Sequence, residues 1–152
     1  MVAAALNRFF HKHRSIALDT GPFIYFVEEH PRHFPLCEAI FEGIESGSVK
    51  ASTSTLTLLE TLVLPYRLKN DELVLKFYSL LTTYPNLTWV PMTLNIADLA
   101  ARLRAAHQLK TPDAIQAASA ITSGATGFVC NDRAFRKIPE LDCLVLDDYR
   151  TA

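Results

Sequence analysis

The chain has 152 residues, 49% hydrophobic and 20% charged, with a formal net charge of −1. That is one domain's worth of sequence with apolar material for a layered core, which excludes a disordered chain. The near-neutral charge excludes a globally basic nucleic-acid binder, so such a partner needs a local basic patch; no apolar run approaches the about 18 residues of a membrane span.

Residues 1–14 read as an N-terminal extension, with residues 15–152 as the domain proper. No Asp or Glu precedes Asp19, while Arg8, His11, Lys12, His13 and Arg14 cluster. The segment suits a frayed or short helical terminus, or a basic arm. Its opening lacks the basic stretch of a signal peptide.

Ser15 to Leu18 is a short apolar run, expected as a buried strand, and Asp19-Thr20-Gly21-Pro22 breaks it. Leu36 to Ser46 has helical periodicity, closed by Gly47. Val49 to Ser52 is expected as a second strand, followed by a helix to about Pro65, then a helix over 71–82. Leu87 to Val90 reads as a third strand and Leu94 to His107 as a helix. Thr111-Pro112-Asp113 is a helix start, with Thr111 as N-cap, and the alanine-rich helix ends near Gly124. Gly127 to Cys130 and Cys143 to Leu146 are the fourth and fifth strands.

Short apolar strands alternating with helices predict a parallel sheet covered on both faces. Ligands of such sheets gather beyond the carboxyl ends of the strands, where the strand order reverses. Asp19 follows the first strand and Asp132 lies just beyond the fourth. If those strands are neighbours, the two carboxylates share a crevice. The three widely spaced cysteines, Cys37, Cys130 and Cys143, point to reduced thiols in a cytoplasmic protein rather than a disulfide framework.

Glu60 falls on a helical wheel between Leu56 and Leu64, flanked by Leu59 and Val63. A charge inside an apolar arc is a local conflict of the kind that marks functional sites, although a long side chain at the edge of a buried face can also reach solvent. Asp113 shares a face with Ala117 and Ala120 and also suits a helix N-terminus. Asp132 suits a turn, and Asp19 a cap. Brought together, the four would form an acidic pocket that requires a hard cation.

The order Leu18-Asp19-Thr20, Leu58-Leu59-Glu60, Thr111-Pro112-Asp113-Ala114-Ile115-Gln116-Ala117-Ala118 and Val129-Cys130-Asn131-Asp132-Arg133 resembles the PIN domain family, especially toxins of virulence-associated protein C type, over roughly residues 15–148. The resemblance implies a three-layer α/β/α fold around a mainly parallel five-stranded sheet. It implies a cytoplasmic, Mg²⁺- or Mn²⁺-dependent ribonuclease, a homodimer, and a small antitoxin partner. Carried over by position, Asp19, Glu60, Asp113 and Asp132 become the catalytic, metal-binding acids, and Thr20 and Asn131 the polar groups behind them. Arg133, Arg136 and Lys137, which follow the fourth acid, are candidates for contacts to RNA phosphate. Gly21-Pro22 departs from the family, where a small polar residue often follows the Asp-Thr pair.

Three other readings compete. A haloacid-dehalogenase-type phosphatase needs a second Asp two residues after the first, and Gly21 stands there. A receiver domain needs an acidic pair at the end of the first strand, which Asp19 alone does not supply. A non-catalytic PIN-like module that only binds RNA or protein is the third, and the intact acid quartet argues against it.

Overall fold

The computed structural model describes residues 2–149; Met1 and residues 150–152, the outer ends of the two expected segments, lie outside the described residues. Five strands form the central sheet: β1 (Ser15–Leu18), β2 (Lys50–Ser54), β3 (Leu87–Val90), β4 (Gly127–Cys130) and β5 (Asp142–Val145). Every pairing is parallel and the spatial order is β3-β2-β1-β4-β5. The order reverses between β1 and β4, so the switch point lies between the strands that lead to Asp19 and to Asp132. The β1–β4 ladder runs on past the strand end, where the Asp19 N–H donates to the Val129 carbonyl at 2.9 Å.

Alternation along the strands divides the core into two layers. Ile16, Leu18 and Val129 join Phe23, Ile40, Phe41 and Phe77 on one face. Ala17, Phe128 and Cys130 join Ile96, Leu103 and Phe135 on the other. The first layer is built from α2 (Thr20–Val27), α3 (Phe34–Glu45), α4 (Leu56–Arg67) and α5 (Asp71–Thr83). The second comes from α6 (Leu94–His107) and α7 (Thr111–Thr122), whose Ala114, Ala117, Ala118 and Ala120 are buried. Small side chains bring the α7 backbone close to β1 and β2, and with it Asp113.

Residues 2–12 form α1 (Val2–Lys12), which docks on the core through buried Leu6, Phe9 and Phe10. The Phe10 ring lies over Gly43 of α3 so closely that a Cβ there would stand 2.3 Å from its Cε2. His13 closes the attachment: its ring nitrogens pair with Thr126 Oγ1 at 2.8 Å and Asp142 Oδ2 at 2.7 Å. Of the two forms expected for this terminus, frayed or short helical, these residues take the helical one. Arg8, His11, Lys12 and Arg14 point outward because the apolar stripe of the helix faces the core.

Several element boundaries differ from the sequence reading: β2 starts at Lys50, α3 spans Phe34–Glu45, α4 runs on to Arg67 and α5 ends at Thr83. β2 extends to Ser54 because its ladder with β3 continues through Ser54 and Val90. β5 runs over Asp142–Val145, one residue earlier than expected, in register with Gly127–Cys130. Thr111 is the first residue of α7, and Lys110 holds the N-cap position without a side-chain bond. Pro112 then stands second and Asp113 third, still in the first turn, where a carboxylate favours the helix dipole. Among the described residues no helix is long and apolar enough to cross a membrane.

Candidate metal centre

The four acids meet at the carboxyl end of the sheet, each carried by a different element. Asp19 is the N-cap of α2 at the end of β1. Asp113 stands in the first turn of α7, Glu60 in the second turn of α4, and Asp132 caps the 3-10 helix Arg133–Lys137. Asp19, Glu60 and Asp113 are half-buried and Asp132 is exposed.

The site's electrostatics record the convergence. The Asp19 carboxyl is pushed up from 3.8 to about 7, first by desolvation and then by the negative charges of Asp113, Glu60 and Asp132. Asp113 is raised as well, by burial and by Asp132 and Glu60, with Lys110 opposing. Asp19 and Asp113, both held above the ordinary carboxylate range by burial and by the negative charges around them, form an electrostatic conflict.

Such a conflict is a donor set for a hard divalent ion. The groups are all carboxylate oxygens, which suit Mg²⁺ or Mn²⁺ and not a site selecting zinc through His or Cys. Among the described residues no three His, Cys, Asp or Glu side chains stand close enough to cage an ion unaided. In donor chemistry and charge, the residues fit the ion.

A buried polar chain lies beneath the acids. Thr20 Oγ1 donates to Glu60 Oε1 at 2.7 Å. Gln116 Nε2 donates to Thr20 Oγ1 at 3.3 Å and to Thr57 Oγ1 at 3.0 Å. Thr57 pairs with Thr53 at 2.7 Å, and Thr53 donates to the Leu18 carbonyl at 2.9 Å. The chain links β1, β2, α4 and α7 behind the pocket, and Thr20 is its point of contact with an acid. The sequence reading gives Gln116, Thr57 and Thr53 no role at the acids, although a glutamine interrupting an alanine face is a visible signal.

Glu60 does not lie within a buried apolar arc, as its wheel position suggests. The arc around it is uncovered: Leu59, Val63 and Leu64 are 60%, 43% and 49% exposed. α4 buries Thr57, Thr61, Leu62 and Pro65 instead. Glu60 stands on the border between that polar-lined inner face and an exposed apolar one, and Thr20 supplies its partner.

Asn131 holds the loop that carries Asp132. Its Oδ1 accepts from the Asp147 N–H at 2.9 Å and its Nδ2 donates to the Tyr25 hydroxyl at 3.3 Å. Asp132 Oδ1 accepts from the Ala134 N–H at 2.8 Å. Arg133 and Arg136 both pair with Asp148, while Lys137 is exposed.

The PIN domain profile matches residues 16–141. A comparison with curated proteins finds no match. Among solved structures, VapBC2 from Rickettsia felis, bound to a DNA fragment from its promoter, has a TM-score of 0.70 at 18% identity, covering 86% of this chain and 98% of the other. A toxin–antitoxin complex from Klebsiella pneumoniae has a TM-score of 0.66 at 19% identity, covering 86% and 97%. DNA-bound VapBC from Salmonella typhimurium has a TM-score of 0.63 at 19% identity, covering 87% and 98%. At these identities the likeness is one of fold.

Proposed function

The chain belongs to the PIN domain family, and we propose that it is a metal-dependent endoribonuclease, the toxin of a toxin–antitoxin pair. The observation that supports the reading is the gathering of four carboxylates at the switch point, where burial first and then the charges of Asp113, Glu60 and Asp132 push Asp19 up to about 7. A protein that only bound RNA would have no use for four acids in its groove, since they repel phosphate.

Asp19 and Asp113 are the pair whose carboxyls are raised, and they would hold the principal ion. Glu60 and Asp132 would accept hydrogen bonds from water or share a second ion. The bound ion would supply Lewis-acid relief of phosphate charge and a nucleophile from water at neutral pH. Thr20 and Gln116 keep the Glu60 carboxylate aimed into the pocket. Asn131, braced at both ends of its amide, keeps Asp132 over it. Arg133, Arg136 and Lys137 follow Asp132 on the 3-10 helix and are the candidates to meet RNA phosphate.

The antitoxin part of the proposal is supported by the uncovered arc of α4. Thr55, Leu58, Leu59, Leu62, Val63 and Tyr66 line a shallow apolar groove of about 380 Å³ on the helix that carries Glu60. A partner segment with apolar side chains and a basic residue would complement both groove and acids. One structural neighbour, from Klebsiella pneumoniae, is described as a toxin–antitoxin complex, which supports such a partner. The homodimer and the cytoplasmic location belong to the same proposal; sedimentation of the purified chain reads the former.

Purified protein is incubated with a panel of RNAs and Mn²⁺, with and without chelator. Cleavage that requires the ion, and is lost in Asp113→Asn while circular dichroism is unchanged, supports the proposal; equal cleavage by that variant removes it. The partner surface is tested with Leu59→Lys/Val63→Lys. That variant should still cleave but no longer be inhibited by the small protein that inhibits the wild type.

A further inference from the structure

We propose that Asp148 is an internal occupant of a phosphate site formed by Arg133 and Arg136, so that the chain holds its own anion where a nucleic-acid phosphate docks. The identity of the incoming anion rests on the ribonuclease reading.

Asp148 spans two guanidinium groups, one to each carboxylate oxygen. Arg133 reaches Oδ1 at 2.7 Å and Arg136 pairs with Oδ2. Both arginines belong to the 3-10 helix that Asp132 caps, and Arg133 directly follows that acid. A two-oxygen anion bridging two guanidinium groups has the hydrogen-bonding pattern of a phosphodiester, which offers two non-bridging oxygens to the same forks. The arginine side chains keep about half of their surface, at 59% and 46% exposure, so an incoming anion can reach them. Exposed ion pairs of this kind are weak and open readily.

The segment bearing Asp148 is anchored independently of that carboxylate. Leu146 is fully buried. Asp147 takes His33 Nε2 at 3.0 Å and gives its N–H to Asn131. Opening the Asp148 bridge therefore frees two cations without releasing the loop that carries Asp132. The bridge also has a purpose beside four carboxylates. It keeps the arginines side by side.

The test is binding of a short fluorescent single-stranded RNA, by anisotropy in chelator, so that neither metal nor cleavage enters the readout. Asp148→Asn removes the charge and keeps the shape. It should bind about tenfold more tightly than wild type. Its log–log salt dependence should steepen by about 1.4, at about 0.7 for each additional phosphate that an arginine neutralises. Asp148→Ser, checked with it by circular dichroism, should show the same gain. Arg133→Gln/Arg136→Gln should cost about tenfold more when combined with Asp148→Asn than in wild type. Binding by both Asp148 variants no tighter than wild type, including no binding by any of them, overturns the proposal. So does an equal cost of the arginine substitutions in both backgrounds. The ribonuclease reading is judged separately by Mn²⁺-dependent cleavage, so either can fail while the other stands.

Discussion

Thr20 Oγ1 donates to Glu60 Oε1 across 2.7 Å, and Gln116 donates to that same threonine oxygen. The hydroxyl is thus committed as acceptor to a buried amide and as donor to a carboxylate. It fixes the direction of the one acid carried in the interior of a helix.

Gln116 is the residue on which that arrangement depends. Gln116→Leu should destabilise the protein by about 1–3 kcal/mol, because Thr20 and Thr57 lose a buried partner. Cleavage should fall while the far-ultraviolet spectrum is unchanged. Denaturant melts together with the Mn²⁺-dependent rate check this; a rate equal to wild type would show that Glu60 does not need the chain behind it.

The raised carboxyl of Asp19 makes metal-free stability depend on pH. Its folded value, about 7, lies above the ordinary 3.8, so between those values the folded state holds a proton that the unfolded chain has released. Stability therefore falls as pH rises through this window, by up to about 1.4 kcal/mol per pH unit. Asp113 adds in the same direction. Burial lowers His33 against the opposing pull of Asp147, and this works oppositely, favouring stability as pH rises toward 6.5. The difference between wild type and Asp19→Asn in urea melts from pH 4 to 8, in chelator, isolates the Asp19 contribution. A flat difference curve would remove it.

Divalent ions should reverse that penalty. Mn²⁺ at about a hundred times its dissociation constant at neutral pH should raise stability by about 2.7 kcal/mol, and at that same ion concentration the gain should grow as pH rises through about 7 and Asp19 ionises. The gain should disappear in Asp19→Asn and in Asp113→Asn. Calorimetric melting temperatures with and without Mn²⁺ measure it without reference to cleavage.

The N-terminal helix should behave as part of the core. Phe10→Ala should cost about 3–5 kcal/mol. Gly43→Ala should cost about 1–3 kcal/mol, because its Cβ would stand 2.3 Å from the Phe10 ring. In the Phe10→Ala background the second cost should largely vanish, since the two share one contact. Additive losses in a double-mutant cycle would mean that α1 is not held there.

Much of the candidate site is legible in short segments. Asp19 after an apolar run, Asp113 in a Thr-Pro-Asp helix start and Asp132 in Asn-Asp are local signals, because strand ends and helix starts have local chemistry. The same holds for β1, β3 and β4, whose bounds match the sequence reading residue for residue. Glu60 stands out in the sequence through a face that the fold leaves uncovered. Periodicity marks an apolar arc but not what covers it. α4 turns Thr57 inward because Gln116 and Thr53 offer it partners there.

The linear order of residues is enough to establish which acids are present, which elements carry them, and that those elements make a parallel sheet with helices on both faces. Local propensity and alternation act within a few residues, so they survive in a one-dimensional reading. Only the folded chain places β1 beside β4, Gln116 against Thr20, Asp148 between the two arginines and α1 over Gly43. Those relationships join residues that are mostly far apart in the chain. They exist only where packing and parallel pairing close the loops between them.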